Sequence, residues 1–527
     1  MAINLLRTHL SNQKYRFAFF ILVIIGFAIR ILGISVIPAG LNQDEASIGY
    51  EAFSILKSGF DRNGNFYPIH LVSWGSGQNA LYAYLSIPFI KLFGLNIFSV
   101  RIVNAILSCL TLLVFFFIFK SFTDKKKSLI ALALIAICPW SIMSARWGLE
   151  SNIFPALFLF GTYFLLKAIN SNGKYLPIAF AIYAICLYSY GTSYLVMPLF
   201  FLFTVPYLLK NRTVSFRNLG VSSILFFVIA LPIILFVLIN HLQLNEIHFD
   251  WFSIPKLATN RTTVIFNLFS GNFIVTFIKN IVRFLSIIIL QTDGNQYNSI
   301  SSVGTIYFIS FPFFLIGLYQ TIKSKALLFP PNYIFFSWLI CSTIVGITSH
   351  ININRINIIF LPILYFTILG FFAVSKMLKR EIRLKYPVFI ISLYTVFFMF
   401  FCGYYFFIFK EEIKSEFSYG LGDAIHYAES TYKNDSINVT TNSINMPYIY
   451  VCFYNQTDPV VFRQSVRYLK GSNDFRVVES LGRYKFTSQI KSKSDIYILS
   501  KTQLELSTLD IKSSKNFGNY AVVQFRK

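Results

Sequence analysis

The chain has 527 residues, 55% of them hydrophobic, 18% aromatic and only 13% charged, with a mean hydropathy of +0.60. A water-soluble domain cannot bury that much apolar surface, so the composition excludes a soluble globular protein and predicts a polytopic one in a membrane. The formal charge of +24 is uneven, because residues 410–527 hold 16 of the 46 basic and 12 of the 22 acidic residues; the excess lies in the apolar part, where it reports topology and not nucleic-acid binding.

The first apolar run, 17–37, follows Arg7, Lys14 and Arg16 and has the length of an uncleaved first span. Further runs of spanning length lie at 97–119, 129–143, 153–168, 176–188, 194–209, 221–240, 303–321, 333–348, 356–374 and 386–409, which predicts about eleven transmembrane helices in residues 1–409. Alternate connections are basic: the N-terminus, Lys120 with Lys125 to Lys127, Lys167 to Lys174, Lys210 with Arg212 and Arg217, Lys323 with Lys325, and Lys376 to Lys385. The positive-inside rule makes these cytoplasmic, together with the N-terminus, as expected of a multi-pass protein of a bacterial plasma membrane. Of the ten carboxylates in 1–409, only Asp124 and Glu381 then fall inside, so acid–base chemistry is expected on the non-cytoplasmic face.

From about Lys410 the apolar runs shorten to strand length in INVTT, YIYVCFY, DPVVF, DIYILS and YAVVQF, with an amphipathic helix LGDAIHYAES between them. Residues 410–527 are therefore predicted to form a small extracytoplasmic α/β domain. The six cysteines have no paired spacing, so neither a disulfide framework nor a zinc motif is implied.

The segment PAGLNQDEASIGYEAFSILKSGFDRNGNFYPIH directly follows the first span. Asn42 and Glu45 form a capping-box pattern, Gly59 a C-cap, and Ile48, Ala52, Ile55 and Leu56 one face of the helix between them. An amphipathic helix along the outer interface is expected, with Asp44 and Glu45 at the positive end of its dipole. A capping box uses the Glu45 carboxylate whatever the protein does, and Asp44 alone reads equally as a solvated first-turn acid. SARWGLESN places Arg146 and Glu150 four apart at another outer turn, either an ion pair or part of a site. HININRINIIF brings His350, Asn352, Asn354 and Arg355 to a third, suited to holding an anion or, for Arg355, to snorkelling at the interface, and Arg101 at the entry to the second span invites the same two readings. The external histidines have no metal-ligand spacing; a divalent ion bridging Asp44 to a phosphate is left open.

NQDEASIGYEAFSILKSGFDRNGNFYPIH, GLNIFSVRIVNAI and ARWGLESN resemble the family 39 glycosyltransferases of the GT-C superfamily, the group of protein O-mannosyltransferases and aminoarabinose transferases. The resemblance covers roughly residues 1–200 and HININRINIIFLP. It implies transfer of a sugar from a polyprenyl phosphate to a hydroxyl acceptor, with inversion. It also implies that Asp44 is the base, and Glu45 is expected to orient it or to hold a metal. Arg101, Arg146 and Arg355 are the physical candidates for the donor phosphate, with Glu150, His350 and Asn354 in support. No nucleotide-binding loop occurs, in keeping with a donor delivered through the lipid. A transporter or flippase for a lipid-linked or small polar substrate is the alternative, although its charges would be expected near the bilayer midplane and here they gather at one face. A non-catalytic scaffold would leave the external polar cluster unexplained.

Overall fold

Inside a bilayer no water is present to satisfy backbone groups, so the apolar runs fold as helices. The computed structural model describes residues 2–258, 273–348, 351–442, 444–469, 476–490, 495–505, 507 and 510–526. Among these, seven helices are long and apolar enough to cross a membrane, and eight if one bent pair counts as a single span. The first half runs α1 (Ala2–Ile31), α2 (Gln43–Ser58), a short hairpin of β1 (His70–Leu71) and β2 (Gln78–Asn79), α3 (Leu81–Phe93), α4 (Ile97–Phe122), the bent pair α5 (Lys125–Ala136) and α6 (Pro139–Ala145), α7 (Glu150–Ile169), α8 (Leu176–Cys186), α9 (Ser193–Lys210) and α10 (Phe216–His241). The spanning helices of the second half are Pro330–Thr348, Ile353–Met377 and Arg380–Glu412.

Several predicted spans are interrupted. The run 176–188 yields only the short α8, and 303–321 is helical only from Ser310 to Lys323. Two helices, α3 and Phe273–Leu290, lie outside the runs predicted to span.

The break between α5 and α6 has a clear cause. Pro139 has no N–H, which leaves the Ile135 carbonyl without its helical donor, and the Trp140 N–H turns to Thr305 O at 2.8 Å. Arg30, fully buried in α1, supplies the missing protons: Nη2 donates to Ile135 O (3.0 Å) and Nη1 to Ala136 O (2.9 Å). An arginine inside an apolar run is tolerated because a proline elsewhere has freed the carbonyls that it meets. In the second half, the helices Ser310–Lys323 and Phe360–Met377 touch backbone to backbone. A Cβ on Gly317 would fall 1.9 Å from Phe366 O, and one on Gly370 equally close to Phe313 O, the small-residue packing that membrane helices favour.

The C-terminal part carries a seven-stranded mixed sheet in the order β10-β11-β9-β5-β8-β7-β6. Its strands are β5 (Ile437–Thr440), β6 (Val466–Tyr468), β7 (Val478–Leu481), β8 (Tyr484–Thr487), β9 (Ile496–Ser500), β10 (Ile511–Phe517) and β11 (Tyr520–Phe525). The central β5 pairs in parallel with β8 and β9, and the remaining pairs are antiparallel. INVTT, DIYILS and YAVVQF are strands and LGDAIHYAES is helical, as predicted, but YIYVCFY and DPVVF are helices, Tyr448–Tyr454 and Pro459–Ser465. A run that is apolar all round fits a buried helix as well as a buried strand. In DPVVF the Asp458 carboxylate accepts from Val460 N at 2.8 Å and Pro459 takes the first helical position, an N-terminal signature that outweighs strand propensity.

This region is seated on α2. Phe453 packs against Gly49, Tyr50 Oη donates to Thr457 O (2.9 Å), and Leu41 N donates to Phe417 O (2.6 Å). As a result α2 is buried on all sides from Glu45 to Ile55, and it is not the interface helix that its amphipathic pattern predicts.

Candidate active site

The capping box at the start of α2 is formed as expected. Asp44 N donates to Asn42 Oδ1 (3.0 Å), Asn42 N donates to Glu45 Oε2 (3.1 Å), and Gly59 closes the helix with φ +75°. Glu45 does more than cap. Arg101 Nε donates to its Oε1 at 2.7 Å and Nη2 to its Oε2 at 2.8 Å, and Gly148 N adds a bond to Oε1 at 2.8 Å. Neither Glu45 nor Arg101 is exposed at all.

That geometry revises two expected phosphate ligands. The remaining Arg101 donors go to the carbonyls of Ile34, Pro38 and Gly40. Arg146 is likewise fully buried and donates to Ile29, Leu32, Gly33 and Ile37 carbonyls, closing the C-terminal end of α1, where helical acceptors have no intrahelical donor. Neither guanidinium is among the residues that line the cavity described next. The expected helical pairing of Arg146 with Glu150 also fails, because α6 ends at Ala145 and α7 begins at Glu150.

Asp44 and Glu150 instead open onto a cavity of about 650 Å³. One wall is Asn42, Gln43 and Asp44 from the start of α2, with Trp74, Gly77 and Gln78 from the hairpin. A second wall is Trp147 to Ser151 without Gly148, and a third is Asn352, Asn354 and Arg355. The C-terminal part completes it with Ser415, Glu416, Ser418, Asn445 and Tyr450. Of the residues expected from sequence, the structure gathers Asp44, Glu150, Asn354 and Arg355 here; His350 lies outside the described residues.

The turn bearing Arg355 is held from behind. Asp293 Oδ2 accepts from Ile353 N (2.8 Å), Asn352 Oδ1 from Arg355 N (2.9 Å), and Ile351 O from Arg283 Nε (3.1 Å) of the helix Phe273–Leu290. Tyr297, on the same loop, stands edge-on to Trp147 with ring centroids 5.4 Å apart. Burial, and then the negative charges of Asp293, Glu416 and Asp44, raise the Tyr297 hydroxyl above its ordinary value, so it stays a proton donor beside the carboxylates. Sequence reasoning missed Trp74, Gln78, Tyr297, Glu416 and Tyr450, since nothing marks a single polar or aromatic residue in a loop until the fold has converged the loops. Among the described residues no three His, Cys, Asp or Glu side chains gather to hold a metal ion. The glycosylation-type triplets at Asn438 and Asn455 are also spent internally: Asn438 is buried in β5, and Asn455 Nδ2 donates to Tyr484 Oη at 3.0 Å.

Residues 80–240 match the family described as dolichyl-phosphate-mannose-protein mannosyltransferase. No curated protein matches the chain in sequence. Among solved structures, ArnT from Cupriavidus metallidurans bound to undecaprenyl phosphate superposes with a TM-score of 0.56 at 12% identity, over 96% of this chain and 97% of that one. This chain shares the fold of that ArnT. The apo form of the same ArnT gives 0.53 over the same shares. The Archaeoglobus fulgidus oligosaccharyltransferase AglB, in complex with an inhibitory peptide and a dolichol-phosphate, gives 0.50 at 14% identity over 84% of this chain and 64% of that one. The family match includes Arg101, Arg146 and Glu150 but stops short of Asp44 on one side and Arg355 on the other.

Proposed function

We propose that this protein transfers a sugar from a polyprenyl phosphate to a hydroxyl acceptor on the non-cytoplasmic face of a bacterial plasma membrane, with inversion at the anomeric carbon. The observation that carries the reading is that Asp44 and Arg355 line one cavity, a carboxylate and a cation in a GT-C fold. Asp44 takes the proton of the acceptor hydroxyl as its oxygen forms the new bond to the anomeric carbon. The bond from that carbon to the phosphate oxygen breaks, and its electron pair leaves with the lipid phosphate, whose charge Arg355 stabilises with the donors of Asn352 and Asn354. Glu45 does not touch the substrate in this scheme. It is a positioning residue: bound to Arg101 and Gly148, it fixes the first turn of α2 and so the place of Asp44. Arg146 serves the same scaffold. In this reading the N-terminus is cytoplasmic and residues 410–527 lie outside and close the cavity, which the alternating basic connections support.

The test is to place wild type and Asp44→Asn in lipid nanodiscs with a panel of radiolabelled polyprenyl-phosphate sugars. One donor is consumed by wild type and spared by the variant. Unchanged transfer by a folded Asp44→Asn protein would remove Asp44 as the base, and movement of a donor across a vesicle without its consumption would favour transport.

A further inference from the structure

Behind the cavity wall lies a buried cation that the reaction scheme does not use. Arg62 is 1% exposed, its Nε is 3.2 Å from Glu51 Oε1, and its backbone N–H donates to Glu51 Oε2 at 2.9 Å. Its Nη1 donates to Ser47 Oγ (3.0 Å) and its Nη2 to Ser73 Oγ (3.2 Å). Each serine oxygen therefore accepts from a guanidinium and must send its own proton onward. Both oxygens lie within reach of Gln78 Oε1, at 3.2 and 3.3 Å. Turning the amide over would face its NH2 toward two hydroxyls that a cation already supplies, and would leave the serine protons without that acceptor. The relay thus fixes the Gln78 carbonyl on the serine side and its NH2 group on the other.

The backbone enforces the same placement. Pairing of Leu71 with Gln78 and of His70 with Asn79 sets the hairpin register, and Asn79 turns away to donate to Tyr194 Oη at 3.0 Å. Gly77, at φ +85°, lets the strand approach His70 where a Cβ would come within 2.6 Å of the imidazole. The Arg62 guanidinium also lies 4.6 Å from the Trp74 ring centroid, which covers one side of an indole that lines the cavity. One buried cation therefore orients an aromatic surface and an amide donor, both on the cavity wall.

We infer that Trp74 and Gln78 form the subsite for the sugar ring of the lipid-linked donor, with Arg62 as its positioning residue. A pyranose presents an apolar C–H face and a rim of hydroxyl oxygens, and a flat aromatic beside a fixed N–H donor matches both. The inference rests on the transferase reading above.

The test measures binding of undecaprenyl phosphate, bare and carrying mannose or glucose, to the full-length protein in nanodiscs. Wild type is expected to bind one of the glycosylated lipids more tightly than the bare one. Gln78→Leu and Trp74→Ala lose that preference, by about tenfold, while their affinity for bare lipid is kept. Ser47→Ala with Ser73→Ala, which frees the amide to turn over, loses part of it with Gln78 intact. Variants that discriminate as wild type does would overturn the subsite and leave the transferase reading standing. Equal loss of bare and glycosylated lipid would overturn it too, by assigning Gln78 a structural role. Wild-type protein that binds no lipid phosphate would bring down both readings.

Discussion

The two main walls of the cavity are built in opposite ways. On the α2 wall the charges behind the surface are neutralised inside the protein: Glu45 by Arg101, and Glu51 by Arg62, all four buried. On the 352–355 wall, Asn352, Asn354 and Arg355 are only half-buried, on a turn held by one carboxylate, Asp293. Buried ion pairs set where a wall stands, whereas half-buried polar groups remain able to exchange water for substrate. An arginine count therefore says little about phosphate binding until the partners of each guanidinium are known.

The comparison can be broken most sharply at adjacent residues. Asp44→Asn is expected to lower transfer by about 10²- to 10⁴-fold without changing the melting temperature, the loss that follows removal of a general base. Glu45→Gln should act the other way. It leaves Arg101 buried without its carboxylate and costs roughly 3–5 kcal/mol of stability, seen as a lowered thermal midpoint in nanodiscs. If Glu45→Gln melted like wild type, the division of labour between the two acids would fail.

His70 gives a pH signature for the hairpin. Burial lowers its pKa to about 4, against the opposing bond to Leu71 O, and its ring stacks on Phe236 at 4.1 Å. Between its ordinary value of 6.5 and 4 the unfolded chain binds the proton that the folded chain refuses. Its contribution is intact above pH 6.5 and is lost as pH falls through that window, by about 3 kcal/mol. Glu51 slopes oppositely, because burial lifts it to about 7 despite Arg62. The difference in melting between wild type and His70→Gln, followed from pH 7 to 4.5, isolates the histidine. On the other wall, Arg355→Ala is expected to raise the donor KM by about 10- to 100-fold with the melting temperature unchanged. A drop in melting would make Arg355 a scaffold residue like Arg101.

Much of this was legible in the sequence. The long apolar runs, the capping box and Gly59 follow from periodicity and spacing, and turns predicted to share one face bring Asp44, Glu150, Asn354 and Arg355 to one cavity. The misreadings share one cause, which is that burial depends on a partner the local pattern cannot name. The pattern of α2 describes an interface helix, and only packing against elements distant in sequence, the Tyr448–Tyr454 helix among them, makes it a core element. Arg101 and Arg146 fall at turns predicted to lie outside, as an anion site would, and only Glu45 and the carbonyls of 29–40 show where their donors go. The closing of the cavity by Glu416, Asn445 and Tyr450 also means that deleting 410–527 would open the site as well as remove any acceptor-docking surface.

The cage around Arg30 bears on how the chain is made. Its acceptors at 135 and 136 are synthesised 105 and 106 residues later. At roughly 5–20 residues per second, the guanidinium waits about 5 to 20 s for the only carbonyls that a proline has set aside for it. During that interval the guanidinium has the Gly26 carbonyl of its own helix and, later, the Ser108 hydroxyl, but not the full set of acceptors. The cage closes only when the bent α5–α6 pair arrives, so the seating of α1 depends on a segment made more than 100 residues later.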